Sequence, residues 1–406
     1  MTYQETLDFL YQKLPMYQRV GKVAYKKDLT NTLKLLAALD NPHRKLKTVH
    51  IAGTNGKGSS AHAIAAILQQ AGYKTGLYTS PHLRNFTERV KINGLEIEQS
   101  FVVGFVGRIR TLIDEIKPSF FEITVALAFD YFSAQNVDIA VVETGLGGRL
   151  DSTNVLIPEV CLITNIGLDH TDLLGDTLEK IAEEKAGIIK PGVPVVIGKH
   201  QKDVVHVFEE KAIAVGADLI IANNEIRMDI PSDLPYYKTA NGPGILESIR
   251  VLQQKGYNIQ QRHIEEGLLR MESITNFKGR FQTLQKSPRV IADVSHNPDG
   301  LKILFSKIEE LTHGQLFIVF GSVKDKDLSP IFDLFPAAAK LFWTESEVPR
   351  SLASLDLQRQ AKDHGLVGDF YPNVNYALAA AKVEAGIDDL IVVTGSTFVV
   401  ADLEGL

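Results

Sequence analysis

The sequence predicts an α/β protein in two parts: an N-terminal P-loop domain on a mostly parallel sheet, and a smaller C-terminal α/β domain of Rossmann-like type. Three observations carry this. From Lys47 onward, short β-branched runs alternate with helical patterns, which is the signature of βαβ units. The glycine-rich run Gly53-Thr54-Asn55-Gly56-Lys57-Gly58-Ser59 sits between a strand pattern and an Ala-rich helical one. A polar, proline-containing interruption then separates this rhythm from a second strand and helix alternation that begins at Arg289. At 406 residues the chain is long enough for two or three domains with cores of their own.

Taken in order, strands are expected at 48–52, 75–79, 138–142, 159–164 and 193–197, with the helix after the glycine-rich run starting near Ser59. The polar stretch 223–243 ends this series, and helical patterns follow at 244–255 and 260–271. Strands at 289–293, 316–320, 341–344 and 390–394 belong to the second part. The expected division is 1–274 for the nucleotide and acceptor domain, 275–284 for a hinge linker containing Lys278-Gly279-Arg280-Phe281, and 285–406 for the C-terminal domain.

Composition excludes several classes. Charged residues are 23% of the chain and the net charge is −6, so there is no basic excess to track a nucleic-acid backbone. The N-terminus lacks a basic region followed by an apolar core, and the apolar stretch 120–132 is broken by Glu122 and Asp130, short of the ~20 residues a membrane span needs. A cytoplasmic protein without membrane or nucleic-acid partners is expected. The single cysteine, Cys161, lies in an apolar run and reads as a buried, inert thiol.

The glycine-rich run reads as a phosphate cradle. Its glycines let backbone N–H groups turn inward, Lys57 supplies a point charge, and Ser59 offers a hydroxyl suited to magnesium. The spacing departs from G-x-x-x-x-G-K-[ST], because only two residues separate Gly53 from Gly56 and Gly58 precedes the hydroxyl. Downstream, the apolar run 138–142 ends in Glu143, a carboxylate placed to hold a metal beside a phosphate loop. Thr144-Gly145-Leu146-Gly147-Gly148-Arg149 contains G-x-G after a strand but lacks the rest of a dinucleotide fingerprint. His170 follows another strand, at the edge where ligands gather, and Lys185 reads by pattern alone as one more solvated lysine on an amphipathic helix.

Together these motifs resemble the Mur-type ATP-dependent ligases, specifically the folylpolyglutamate synthase and dihydrofolate synthase branch. The resemblance rests on G-T-N-G-K-G-S, T-S-P-H-L at Thr79–Leu83, G-L-G-G-R-L-D-S-T-N at 145–154, N-I-G-L-D-H at 165–170, E-K-A-G-I-I-K at 184–190, and G-R-F at 279–281. Asp293-Val294-Ser295-His296-Asn297-Pro298 matches D-x-x-H-N-P, and Thr394-Gly395-Ser396 matches a glutamate-holding loop. The resemblance implies ATP contacts from Gly53, Thr54, Asn55, Gly56, Lys57, Gly58, Ser59, Arg280 and Asp293, with Asn241 the lone survivor of a degraded H-Q-x-x-N-A segment. It implies two magnesium ions, one on Ser80 and Glu143 and one on His170 and a carbamylated Lys185. Arg149, Asp151 and Asn154 become pterin-side candidates, His82, Phe121 and Glu122 acceptor-pocket candidates, and His296 and Ser396 glutamate candidates. Phe121 serves equally well as a packed helix residue, and Ser80 as an ordinary turn serine.

The implied reaction couples L-glutamate to dihydropteroate or a reduced folate at the expense of ATP, with Lys57, Lys185 and His296 as catalytic candidates and a monomer as the family expectation. Because phosphate loop and glutamate loop fall in different domains, hinge closure is expected to assemble the site. Two other readings compete: a cell-wall amino-acid ligase of the Mur type, and a P-loop nucleotide switch without ligase activity. Glutamate-dependent ADP release separates the switch from the ligases.

Overall fold

The computed structural model describes residues 1–15, 28–223 and 236–406, so part of the expected polar stretch 223–243 lies outside the described residues. The chain divides into two compact units, Met1–Phe277 and Lys278–Leu406.

The first unit is built on an eight-stranded sheet: β1 (Thr48–Ala52), β2 (Thr75–Tyr78), β3 (Val90–Ile92), β4 (Leu95–Glu96), β5 (Ile139–Glu143), β6 (Val160–Ile163), β7 (Val195–Ile197) and β8 (Leu219–Ile221). Their order is β4-β3-β2-β5-β1-β6-β7-β8, parallel from β2 to β8, with β3 and β4 as an antiparallel edge. β1 lies in the middle between β5 and β6, and every residue of all three is buried. That explains their near-continuous apolar runs, because a strand covered on both faces has no polar side. One face is covered by two clusters, one around Phe105, Phe129 and Phe132 over β2 and β5 and one around Ile163, Ile181, Ile188 and Phe208 over β6 and β7, and the other face by the helices Lys57–Gln70 and Tyr236–Gln254.

The second unit carries β9 (Gln282–Lys286), β10 (Arg289–Ala292), β11 (Leu316–Phe320), β12 (Lys340–Thr344), β13 (Gly368–Tyr371) and β14 (Leu390–Thr394). Their order is β13-β12-β11-β14-β10-β9, parallel except for the antiparallel β9. Its core is aromatic: fully buried Trp343 meets Phe320 and Phe332 edge to face.

The α/β class and the parallel character of the larger sheet agree with expectation. The differences are local. β3, β4, β9 and β13 are short or half-exposed and carry no continuous apolar run, so periodicity does not reveal them, and β8 is an apolar strand of only three residues. The helix expected to start at 244 begins at Tyr236 and contains Pro243. Proline removes one helical hydrogen bond, and tertiary contacts hold the preceding turn. The Lys238 ammonium donates to Leu268 O (2.7 Å) and pairs with Glu272 (2.8 Å), and the Tyr237 hydroxyl donates to the other Glu272 oxygen. Among the described residues no helix is long and apolar enough to cross a membrane.

Candidate active site

The C-terminal ends of β1, β2, β5 and β6 deliver the phosphate-loop motif, Ser80, Glu143 and Asn165 to one edge of the sheet, where ligands bind in open parallel α/β folds. Residues 53–56 turn sharply before the helix Lys57–Gln70, with Gly56 at its N-cap in the left-handed region (φ 82°). The glycines are sterically required. A Cβ on Gly53 would stand 1.8 Å from Thr164 Oγ1, and one on Gly56 would stand 2.3 Å from Asn241 Oδ1.

The loop is braced by the end of β6. Thr54 N donates to Asn165 O and Asn55 N to Asn165 Oδ1 (both 2.9 Å), while Thr164 Oγ1 donates to Asn55 O (2.6 Å). Thr164 and Asn165 were not singled out from sequence, although the rule that loops after parallel strands converge on one edge points to them. Asn241 covers the loop from the other side, its Nδ2 donating to Tyr237 O (2.7 Å) and lying 3.4 Å from Ser59 Oγ.

Two lysines meet on one backbone oxygen. Lys57 Nζ donates to Gly53 O (3.1 Å) and Thr54 O (3.2 Å), and Lys185 Nζ donates to the same Gly53 O (2.8 Å). Lys185 is not the solvated lysine that its helix pattern suggests: it is buried, and that burial, with Lys57 nearby, lowers its ammonium pKa to about 7. A carboxylate faces the same helix end. Glu143 Oε2 accepts Ser80 N–H (3.1 Å), and a Cβ on Gly58 would touch that oxygen at 3.4 Å. The Ser80–Pro81 peptide is cis.

Among the described residues no group of three or more His, Cys, Asp or Glu side chains could hold a metal. Magnesium needs only one or two protein carboxylates and completes its shell with water and substrate phosphate oxygens. Glu143, whose Oε2 accepts the Ser80 N–H, is one such carboxylate at the phosphate-loop end of the sheet. At the second candidate position His170 is half-exposed with a left-handed backbone (φ 51°), its Nε2 3.9 Å from Asp169 Oδ2.

The loop 145–154 is shaped from within. Asp151 Oδ2 accepts Leu146 N (2.9 Å) and Oδ1 accepts Thr153 N (3.0 Å) and Thr153 Oγ1 (2.5 Å). Arg149 reaches Glu184 Oε1 (2.7 Å), and Asn154 Nδ2 donates to Arg149 O and Gly187 O (both 3.0 Å). These contacts tie the loop to the helix that carries Lys185. The Phe121 ring packs where a Cβ on Gly145 would be, at 2.4 Å, so it touches the loop directly. Glu122 instead closes the capping box of its helix, Oε2 accepting Ser119 N (2.6 Å). His82 Nδ1 accepts from the buried Arg89 Nε (2.7 Å), and burial, then that cation, holds His82 well below the ordinary histidine range.

In the second unit, Asp293 is fully buried at the end of β10, accepting Ser295 N and Phe281 N (both 2.8 Å), with Arg280 Nη1 3.9 Å from its Oδ1. His296 Nδ1 lies 3.0 Å from Val294 O, and its carbonyl accepts Lys326 Nζ (2.6 Å). Ser396 caps the helix Thr397–Ala401, and Gly395 N donates to Ser295 O (3.0 Å), so the His296 and Ser396 loops share one anchor.

A Mur ligase middle domain matches residues 51–218, and a Mur ligase glutamate ligase domain matches 279–397. The folylpolyglutamate synthase of Lacticaseibacillus casei is 30% identical, over 98% of this chain and 97% of that protein. The chain belongs to the folylpolyglutamate synthase and dihydrofolate synthase branch of the Mur ligase family. The dihydrofolate synthase/folylpolyglutamate synthase of Escherichia coli, another member, is 32% identical over 86% of this chain and 84% of that protein. The structure of E. coli FolC in complex with DHPP and ADP matches this family member with a TM-score of 0.88 at 29% identity, over 99% of this chain and 96% of that one. A bifunctional synthase with Mn, AMPPNP and L-glutamate bound matches with a TM-score of 0.84 at 28% identity, over 99% and 97%.

Proposed function

We propose that this protein is the ADP-forming ligase that joins L-glutamate to dihydropteroate, to a reduced folate, or to both. Its class follows from its family: it is an ATP-dependent glutamate ligase of the Mur type. Relatives holding ADP, AMPPNP, manganese and L-glutamate support ATP, a divalent metal and glutamate as the guests. The observation that carries the reading is the convergence of Lys57, Lys185, Glu143 and Ser80 around the start of one helix.

A carboxylate is a poor electrophile. An acceptor carboxylate oxygen attacks the γ-phosphorus of ATP, ADP leaves, and an acyl phosphate forms. The glutamate amine then attacks the acyl carbon, the C–O bond to phosphate breaks, and the amine loses a proton to give the amide. The N–H groups at the helix start and Lys57 stabilise charge on the transferring phosphoryl group. Lys57 now rests on the carbonyls of Gly53 and Thr54, so a bound triphosphate competes with them for its ammonium.

Two magnesium ions fit this chain: one at Glu143 with Ser80 and Ser59, one at His170 with Lys185. Bound there, they would neutralise phosphate oxygens. Lys185 takes its place as a carbamate: its neutral amine adds to carbon dioxide, an N–C bond forms, and one proton leaves. A lysine whose pKa is lowered to about 7 holds much of that amine at neutral pH. Loop 145–154 with Phe121 and His82 receives the acceptor, Arg280 and Asp293 with Asn241 serve ATP, and His296 and Ser396 serve glutamate. Residues 275–284 link the two halves as a hinge whose closure completes the site.

The test is ADP release with magnesium-ATP, using dihydropteroate and tetrahydrofolate separately, each with and without L-glutamate. Glutamate-dependent release with both acceptors is the expected result for a bifunctional enzyme, and release with one names the substrate. ADP release indifferent to glutamate would mean the ligase reading is wrong.

A further inference from the structure

His50 stands on β1, three residues before the phosphate loop, and is fully buried. Its Nε2 is 2.8 Å from Thr153 Oγ1, and its Nδ1 is buried with no hydrogen-bond partner. Thr153 Oγ1 in turn lies 2.5 Å from Asp151 Oδ1.

The proton positions follow from this chain. Burial raises the Asp151 pKa above the ordinary carboxylate value, and hydrogen bonds from Thr153, Leu146 and Gly145 oppose it. With the backbone N–H of Leu146 on one oxygen and that of Thr153 on the other, both oxygens accept, the pattern of an ionised carboxylate. A carboxylate oxygen 2.5 Å from a hydroxyl requires the hydroxyl proton between them, so Thr153 donates to Asp151. With its one proton committed, the Thr153 oxygen can only accept from His50. His50 is therefore the neutral Nε2–H tautomer, with a bare lone pair on Nδ1, and burial agrees by lowering its pKa to about 3. An unpartnered ring nitrogen in a sealed site is unfavourable, which makes the one bond it does form the reason for a histidine there.

We propose that His50 and Thr153 are positioning residues for the acceptor loop: their directed chain holds the Asp151 carboxylate where it fixes the backbone at Leu146 and, with it, the turn on which Phe121 packs. The chain joins the strand bearing the phosphate loop to the loop that receives the acceptor, so the two substrates meet at a set distance. Its effect on turnover rests on the acceptor role given above to residues 145–154; its effect on the loop does not.

The experiment uses the full chain carrying His50→Gln, His50→Phe, Thr153→Ser and Thr153→Val. Hydrogen–deuterium exchange of peptides covering 144–154 reads the loop, long-range proton–nitrogen correlation reads the His50 tautomer, and steady-state kinetics read each substrate separately. Expected are a histidine protonated on Nε2 alone, exchange at least tenfold faster in Thr153→Val and His50→Phe, and an acceptor KM raised at least tenfold with the ATP KM within about twofold. Thr153→Ser, which keeps the hydroxyl, and His50→Gln, which keeps a side-chain N–H, stay near wild type in both readouts. Equal behaviour of Thr153→Ser and Thr153→Val, an Nδ1–H or doubly protonated His50, or parallel rises in the ATP and acceptor KM overturns the proposal. A wild-type enzyme inactive with every pteroate and folate acceptor sinks the functional assignment instead, and the exchange and tautomer measurements still decide the positioning role.

Discussion

Gly56 shows how much depends on one missing Cβ. Its φ of 82° is strained for any L side chain, and an added methyl would collide with Asn241 Oδ1 at 2.3 Å, the contact that covers the phosphate loop. Gly56→Ala is expected to weaken nucleotide binding at least ~10-fold, about 1.4 kcal/mol, as read by calorimetry with a non-hydrolysable ATP analogue. His50 has a second consequence at this scale. Its folded pKa of about 3 lies below the unfolded 6.5, so acidification protonates the unfolded chain while the folded one resists. The stability it contributes is complete above pH 6.5 and is lost progressively toward pH 3, by about 1.4 kcal/mol per pH unit. His62 and His82, also depressed by burial, act with the same sign. Urea unfolding at pH 7 and pH 5 should show His50→Gln losing about 2 kcal/mol less than wild type over that interval. An equal loss would mean His50 is not buried neutral.

At the scale of elements, helix ends do the placing. The helix Phe120–Ala134 starts with a reciprocal capping box, Ser119 Oγ accepting Glu122 N (3.2 Å) and Glu122 Oε2 accepting Ser119 N (2.6 Å). Its first turn also presents Phe121 to Gly145. Ser119→Ala is expected to lower stability by about 1 kcal/mol in urea titration and to raise the acceptor KM more than the ATP KM. This element also shows where sequence reading stops. Glu122 is an acceptor-pocket candidate only through the family resemblance, whereas its cap contact is a local S-x-x-E pattern visible in the chain. Lys185 is the opposite case. Nothing in the periodicity of 178–186 distinguishes it from its neighbours, and its burial comes from loop 145–154 packing across that helix.

For the whole molecule, the division into Met1–Phe277 and Lys278–Leu406 separates the phosphate loop from His296 and Ser396. Each unit has its own sheet and core. The fragment 1–277 is therefore expected to fold alone and bind an ATP analogue, yet to release no ADP in response to glutamate and acceptor. Cooperative unfolding by circular dichroism and a coupled ADP assay check both halves of that statement. Glutamate-dependent turnover by the fragment would place the glutamate site in the first unit.

Near-continuous apolar runs of four to five residues, alternating with helical patterns, are enough to determine the parallel strands by themselves, because a strand buried on both faces has no solvated side, and the polar exceptions such as His50 are buried with partners of their own. The glycines of 53–58 likewise declare the phosphate loop, since Gly53 and Gly56 take a left-handed backbone that other residues accept only under strain. What tertiary structure alone decided is which polar groups lose water and whom they then face. The meeting of Lys57 and Lys185 on Gly53 O, the bracing of the loop by Thr164 and Asn165, and the line from His50 through Thr153 to Asp151 join residues far apart in the chain. Their protonation follows from burial and from the direction of each hydrogen bond, and both exist only once the strand ends have been brought to one edge of the sheet.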